Sequence, residues 1–516
     1  MEEGFMLVFP ERVLAGDLPN RDFLHLYGPG SLWALAAWFK VFGVNLTAER
    51  IFGLLQILGV VLGIYALARY WGRTVALPCA LLAFAFVLPP LALTALAWVG
   101  AVALGLLGLV ATLEGRRRLE TQPKSALRWA LLGGIVFGLA VTFRLDLITA
   151  VLLAGGVALW STNSKFAKRT IGGFALGVSP YLIHLLTAGP STVFRGMVLD
   201  PVVNLRGGRR LPIPPTWDHL DGFLQRSQAT IPPDWPIPSL GTPQQITVWF
   251  FALILTIVVL VVIGVWAVRR DRSRFEARVL LAVGLFSLGI APQAFQRVDS
   301  AHFGWVSCVA IAFLPVALAE LLRAKRPLWS LRRVNLTAAI SVLLGVMLLI
   351  PYFTSWSYVD FAAQTFGKHR VALKIERNGR VFYYGRWDVQ QAATELLHDV
   401  PKYATPGDRL FIGTSDLRKT PYSDAWLYYL LPEFPPGTYY IEMDPGVANS
   451  SRGQLARDLA RSDIVILSSV WDNWREPNGS RDIGSNRANE VLARDFCEIK
   501  NYGGLYTLYR RCDRAG

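Results

Sequence analysis

The sequence predicts a polytopic α-helical membrane protein with a C-terminal extracytoplasmic α/β domain. Three observations carry that expectation. Ten apolar stretches lie between residues 51 and 352, basic residues fall on alternate loops between them, and the chain turns water-soluble in composition from about residue 355. Hydrophobic residues fill 53% of the 516 positions against 17% charged, with 17 tryptophans, and mean hydropathy is +0.36. Such a balance belongs to a membrane protein. The formal charge of +15 resides mainly in the basic loops and suits membrane lipids with anionic headgroups. No zinc-finger spacing, Walker loop or basic recognition helix occurs, so no nucleic-acid partner is expected.

Residues 1–50 read as an outer segment. Glu2-Glu3-Gly4 leads to Pro19-Asn20-Arg21-Asp22-Phe23, to Tyr27-Gly28-Pro29 and to a short apolar run, Ser31–Val44. That run holds four aromatics and Lys40 and is too short to span, so an interfacial helix is expected.

Residues 51–352 read as a bundle of about ten helices. The stretches are Ile51–Arg69, Thr74–Leu91, Ala92–Leu113, Leu127–Phe143, Asp146–Ser161, Thr170–Ala188, Gln245–Val268, Ala277–Gln296, His302–Leu322 and Val334–Tyr352. About twenty apolar residues at ~1.5 Å rise cross a ~30 Å hydrocarbon core. Alternate loops carry twenty basic residues, among them Arg69, Arg116, Arg117, Arg118, Lys165, Arg272, Arg323 and Arg333; the other short loops carry two, Arg144 and Arg297. Positive loops stay cytoplasmic, so both ends are expected outside. Residues 1–29 hold no signal peptide or upstream span that could export them, and a first transmembrane helix is expected to be missing ahead of them. The long outer loop, residues 189–244, is rich in proline from Pro212 to Pro238 and holds Arg206, Arg209 and Arg210. A lid, a binding element and disorder are all open for it.

The tail, residues 355–516, alternates short buried strands (Arg409–Gly413, Thr438–Glu442, Asp463–Leu467) with helical patterns at Asp424–Leu431 and Arg452–Arg461. This predicts a small α/β layer with a partly parallel sheet. No glycine-rich loop follows a strand, which excludes the usual nucleotide site. Trp471 and Trp474, beside Glu476-Pro477-Asn478, suit stacking on sugar rings or packing on the bundle. Cys79 and Cys308 fall in apolar spans and read as small core residues, while Cys497 and Cys512 lie where oxidation is permitted, with their pairing open.

Ionisable groups at membrane depth are costly and mark candidate sites. Three clusters qualify: Glu2, Glu3, Asp17, Arg21, Asp22 and His25; Arg144 with Asp146; and Arg297, Asp299 and His302. Carboxylates near arginines suit glycosyl transfer, one carboxylate taking the acceptor proton and the cations holding a departing phosphate. Each cluster also has a plainer reading: a disordered terminus, a structural ion pair and a solvated loop. No cofactor is fixed, and the carboxylates are compatible with a divalent metal.

The stretch Glu2-Glu3-Gly4-Phe5, Pro10-Glu11-Arg12-Val13-Leu14-Ala15-Gly16, Leu18-Pro19-Asn20-Arg21-Asp22-Phe23 and Tyr27-Gly28-Pro29-Gly30 resembles the first outer loop of C-fold glycosyltransferases. More narrowly, it resembles the dolichyl-phosphate-mannose-protein mannosyltransferase-like membrane proteins of actinobacteria. In that superfamily an acidic pair, usually Asp-Glu, follows the first transmembrane helix and supplies the base; Glu2-Glu3 stands in the matching place, with Glu where Asp is usual. Phe143-Arg144-Leu145-Asp146, Arg297-Val298-Asp299-Ser300-Ala301-His302 and the tail's Tyr428-Tyr429-Leu430-Leu431-Pro432-Glu433 are similar to outer-face and tail motifs of the group.

Residues and resemblance together predict an inverting transferase of the cell membrane. Glu2, Glu3 and Asp22 are the candidate catalytic residues. Arg21, His25, Tyr27, Arg144, Asp146, Arg297, Asp299 and His302 are the candidate substrate-binding residues. Nucleotide sugars are cytoplasmic and this face is not, so the expected donor is a polyprenyl-phosphate sugar and the expected acceptor an extracytoplasmic glycan, lipid or protein. Two alternatives stand beside it: a non-catalytic envelope assembly protein on a glycosyltransferase scaffold, and a transporter or flippase with charges near the midplane of its spans. The tail is expected to bind acceptor without chemistry of its own.

Overall fold

The computed structural model describes residues 2–215, 242–350, 352–368, 372–420, 422–473 and 479–514. Trp474, Glu476, Pro477, Asn478 and the prolines at 232, 233, 236 and 238 lie outside them. Among the described residues, seven helices are long and apolar enough to cross a membrane: Leu46–Trp71, Ala97–Arg117, Pro123–Phe143, Ser164–Ala188, Gln244–Arg270, Phe275–Gln296 and Leu331–Leu349. A bent pair, Ser300–Ser307 and Ala310–Lys325, meets at 41° and makes an eighth if taken as one span. Two further apolar stretches form shorter helices, Arg73–Val87 and Leu145–Leu159. Fifteen residues from Arg73 to Val87 rise only about 22 Å, less than the core thickness, so length and not hydropathy sets them apart. The chain is thus a multi-pass α-helical membrane protein.

Local chemistry marks where these helices start. Asn45, Asn163 and Ser330 accept from the backbone N–H of Ala48, Phe166 and Arg333, and Asp299 accepts from that of His302. Packing between the Pro123–Phe143 and Ser164–Gly177 helices depends on glycines four apart. A Cβ on Gly134 would lie 2.0 Å from the Thr170 carbonyl, one on Gly177 2.2 Å from that of Ile135, and one on Gly138 2.5 Å from that of Phe174. Where lipid removes the hydrophobic drive between helices, such backbone approach supplies the van der Waals energy instead.

The basic loops gather at one end. Glu114 accepts from Arg117 and Arg118, with Arg69 at 4.0 Å. Glu320 accepts from Trp71 Nε1 at 3.0 Å and Arg274 Nη2 at 2.9 Å, and Arg278 donates to the Trp160 carbonyl at 2.7 Å. The opposite end carries the first segment, α1 (Glu2–Leu14) and α2 (Pro29–Phe42), and the tail. Arg380 holds Glu11, Tyr439 donates to the Asn20 carbonyl at 2.8 Å, and Tyr358 donates to the Phe84 carbonyl at 3.0 Å. Helix α1 is covered by the tail so closely that a Cβ on Gly4 would lie 2.8 Å from Trp426 N.

The tail contains a hairpin, β1 (Leu373–Arg377) and β2 (Arg380–Tyr384), turned by Asn378 and Gly379 at φ 51° and 77°. Two left-handed residues are what a two-residue hairpin requires, and Asn-Gly supplies them cheaply. The main sheet runs in the order β3 (Leu410–Thr414), β4 (Ile464–Ser468), β6 (Tyr506–Arg511), β5 (Phe496–Tyr502). Strands β3 and β4 are parallel, with Leu410 opposite Ile464, and the remaining pairs are antiparallel. Every residue of β3 and β4 is buried, which explains their unbroken apolar runs.

Two expectations for the tail need correction. Thr438–Glu442 is not a strand; only an isolated bridge, Leu410 with Pro436, borders β3 there, because Tyr439 and Tyr440 turn into different contacts. Trp471 is not a free stacking platform. It is 7% exposed and donates Nε1 to Asp424 at 3.0 Å, beside Ser468 at 2.6 Å. Cys497 and Cys512 form a disulfide with Cα atoms 4.9 Å apart, while Cys79 and Cys308 are free and buried.

Candidate functional site

Glu2 and Glu3 occupy the first turn of α1, where the helix dipole favours carboxylates. Successive residues on a helix diverge, so the two separate. Glu3 accepts from Arg50 Nε at 2.6 Å and Nη2 at 3.0 Å. Glu2 keeps slight exposure yet lies deep among protein atoms, facing Glu442, Arg209 and Arg297. Burial, reinforced by the negative charge of Glu442, pushes its carboxyl up to about 7 against the pull of the N-terminal amine and of the two arginines.

The arginines arrive from distant parts of the chain. Arg297 follows the Phe275–Gln296 helix and donates Nε to Asp299 Oδ2 at 2.6 Å. Asp299 Oδ1 accepts from the backbone and ring nitrogens of His302 at 2.8 and 2.7 Å. Burial opposes ionisation of Asp299, but His302 and Arg297 outweigh it and hold the carboxyl well below its usual range. Arg209 lies in the outer loop and donates to Glu442 Oε1 at 3.2 Å, while its Nη2 sits 2.6 Å from Asp444 Oδ1. Arg144 caps the Pro123–Phe143 helix and is 9% exposed. Its guanidinium is bidentate to Asp146 at 3.0 and 2.7 Å, donates to Gln293 at 3.1 Å, and stacks on Tyr27 and Trp98 at 4.5 and 5.3 Å. Tyr27 links the two halves, because its hydroxyl feels Glu442, Arg144, Glu2 and Asp444.

The structure therefore brings Glu2, Tyr27, Arg144, Asp146, Arg297, Asp299 and His302 to one end of the bundle. Other candidates are placed differently. Glu3 is engaged with Arg50. Arg21 is exposed and pairs with Asp22 at 2.8 Å, and Asp22 also accepts from Leu18 N at 2.8 Å, which staples the 18–22 turn. His25 is buried; its carbonyl accepts from Asn20, whose side chain also meets His184 at 2.9 Å. Burial depresses the His25 imidazole to about 3, so it stays neutral beneath Tyr27. Among the described residues no group of three His, Cys, Asp or Glu could hold a metal ion.

Sequence reasoning counted Arg209 only among the arginines of the outer loop, and missed Glu442, Asp444, Gln293 and Trp98 as site residues. Gln293 did carry a detectable sign, a polar amide within an apolar span. Glu442 and Asp444 resembled the end of an ordinary strand, and only the fold places them against α1.

No family model matches the chain, and no curated protein matches it. Among solved structures it is similar to ArnT from Cupriavidus metallidurans in the apo state, with TM-score 0.48 and 14% identity, over 100% of this chain and 94% of that one. The same protein bound to undecaprenyl phosphate matches with TM-score 0.47 and 12% identity over the same shares. Archaeal oligosaccharyltransferase AglB from Archaeoglobus fulgidus, in complex with an inhibitory peptide and a dolichol-phosphate, matches with TM-score 0.46 and 12% identity, over 100% of this chain and 70% of that one.

Proposed function

We propose that the protein is a membrane glycosyltransferase of the C-fold superfamily that moves a sugar from a polyprenyl-phosphate donor to an extracytoplasmic glycan, lipid or protein. One observation carries the reading: the Glu2 carboxyl is enclosed at the end of the bundle away from the basic loops, within electrostatic reach of Arg209 and Arg297. A carboxyl poised at about 7 is ionised in a substantial fraction at neutral pH, and retains enough basicity to accept a proton. The acceptor hydroxyl gives its proton to Glu2 as its oxygen attacks the anomeric carbon. The bond from that carbon to the phosphate oxygen breaks, and its electron pair leaves with the polyprenyl phosphate. Arg297, Arg209 and Arg144 are cations within this end that can neutralise the departing charge. A single displacement inverts the anomeric centre. By the positive-inside rule the site faces outward, which favours a lipid-linked donor over a nucleotide sugar.

The test uses the full chain in lipid nanodiscs with radiolabelled polyprenyl-phosphate hexoses and pentoses and a cell-envelope fraction as acceptor. Label should move to the acceptor with the native protein and not with Glu2→Gln. Absence of transfer from every lipid-linked sugar, together with an unaltered envelope lipid and glycan profile in a deletion strain, would reject the reading.

A further inference from the structure

The membrane-spanning helix that leads into the tail, Leu331–Leu349, packs one face on the bundle. Val334, Asn335, Ala338, Ala339, Val342 and Val346 are buried, and Asn335 Nδ2 donates to the Trp71 carbonyl at 2.6 Å. The other face holds a shallow groove of about 450 Å³. Two rows of residues four apart line it: Arg332, Leu336 and Ile340, beside Arg333, Thr337 and Ser341. At ~1.5 Å rise per residue each row descends about 12 Å from its arginine. A face turned to lipid is ordinarily apolar, because hydrocarbon offers polar groups no partner. Here both rows start at a cation, and the Thr337 and Ser341 hydroxyls have no hydrogen-bond partner among the described residues.

These cations differ from others at the same end of the bundle. Arg117 and Arg118 are neutralised on Glu114, and Arg274 on Glu320. The stretch Lys325–Arg333 holds no acidic residue, and Arg326, Arg332 and Arg333 have no ion-pair partner among the described residues. Two of them are nevertheless held in place. Arg333 and Arg326 lie 4.4 and 5.7 Å from the centre of the Trp329 ring, a cation–π arrangement. The Ser330 hydroxyl accepts from Arg333 N at 3.3 Å and fixes the start of the helix. Leu328, 98% exposed, stands beside them. Gathered positive charges repel one another, and a bound anion relieves that repulsion.

We propose that this groove binds an anionic phospholipid from the leaflet next to the basic loops. Arg332 and Arg333 hold its phosphate by charge-assisted hydrogen bonds. Thr337, one turn beyond Arg333, donates to an ester oxygen, and an acyl chain lies along Leu336 and Ile340. Position and charge together select this occupant. The helix is a membrane span, so its exposed face meets lipid, and unpaired guanidiniums at headgroup level favour a negative headgroup. The positive end of the helix dipole adds to that preference. The site lies at the end of the bundle opposite Glu2 and does not depend on sugar transfer.

The experiment titrates the full chain in detergent with phosphatidylglycerol or phosphatidylcholine of identical acyl chains, and native mass spectrometry reads the affinity for the first lipid bound. The native protein should hold phosphatidylglycerol about tenfold more tightly than phosphatidylcholine. Arg332→Gln and Arg333→Gln should each weaken phosphatidylglycerol about fivefold and leave phosphatidylcholine unchanged. Lys168→Gln with Arg169→Gln removes two exposed cations from the Ser164–Gly177 helix and should leave the preference intact. If the arginine variants do not fold, Ile340→Trp, which fills the groove and keeps both cations, should weaken phosphatidylglycerol by a similar factor. Equal affinity for the two lipids in the native protein, or an equal loss in the Lys168 and Arg169 variant, would overturn the proposal. So would a dimer formed through this face, seen as a doubled mass that takes up no lipid and that Ile340→Trp returns to the monomer.

Discussion

Glu2 and Asp299 are both enclosed carboxyls, yet their neighbours drive them in opposite directions. Glu2 is raised by burial and Glu442, so its folded form holds a proton up to about 7, while an unfolded Glu releases it near 4.3. Folding is penalised as pH climbs between those values. Glu2→Gln should accordingly raise the melting temperature at pH 8 and change it little at pH 4, read by scanning calorimetry; a gain confined to low pH would contradict this. Asp299 is held low by His302 and Arg297. Its contribution is complete above the ordinary value near 3.9 and fades as pH falls toward the folded value. Asp299→Asn should then cost stability at pH 7 and lose that cost on acidification. For chemistry, Glu2→Gln should reduce transfer by about 10²–10⁴-fold, the usual worth of a general base. Glu3→Gln should matter far less, since it loses only a partly exposed pair with Arg50, of the kind worth up to about 1 kcal/mol.

At the scale of elements, the glycine-lined contact between the Pro123–Phe143 and Ser164–Gly177 helices sets the position of Arg144, because the same helix that packs through Gly134 and Gly138 ends at that residue. Enlarging Gly134 to leucine forces its side chain into the Thr170 carbonyl. The expected cost is about 1–3 kcal/mol, seen as a lower melting temperature, with transfer activity falling alongside it. Gly172→Leu is the control, since nothing lies within 4 Å of a Cβ there. Equal losses in both variants would show that the close contact is not what matters. Long apolar helices were legible from composition because lipid demands it. The tail's β3 and β4 were legible from their unbroken apolar runs. The Thr438–Glu442 segment misled because β-branched and aromatic residues fit a strand only when a neighbouring strand is available.

For the whole molecule, the pairing of basic loops at one end and the tail at the other makes orientation testable. Arg117→Cys should react with a membrane-impermeant maleimide only after permeabilisation, whereas Glu395→Cys in the tail should react in intact cells. The reverse pattern would place the site in the cytoplasm and exclude a lipid-linked donor presented outside. Three clusters far apart in sequence, around Glu2, Arg144 and Arg297, could be singled out residue by residue because charges beside apolar spans are rare. Read as one site they were expected to meet, but the separation of Glu2 from Glu3 was not expected.

The sequence by itself determined what the membrane and local geometry demand: the apolar spans, the alternation of basic loops, the soluble tail and the short list of charged residues beside the spans. These follow from the solvation of backbone and side chains over a few residues, which spacing and composition encode directly. Only the tertiary structure decided that Glu442 and Asp444 hold Arg209, that Asp22 closes a turn, and that Trp471 is buried on Asp424. Those outcomes depend on which distant surfaces pack together. A single chain's sequence records that through many weak contacts at once, with no local pattern to betray it.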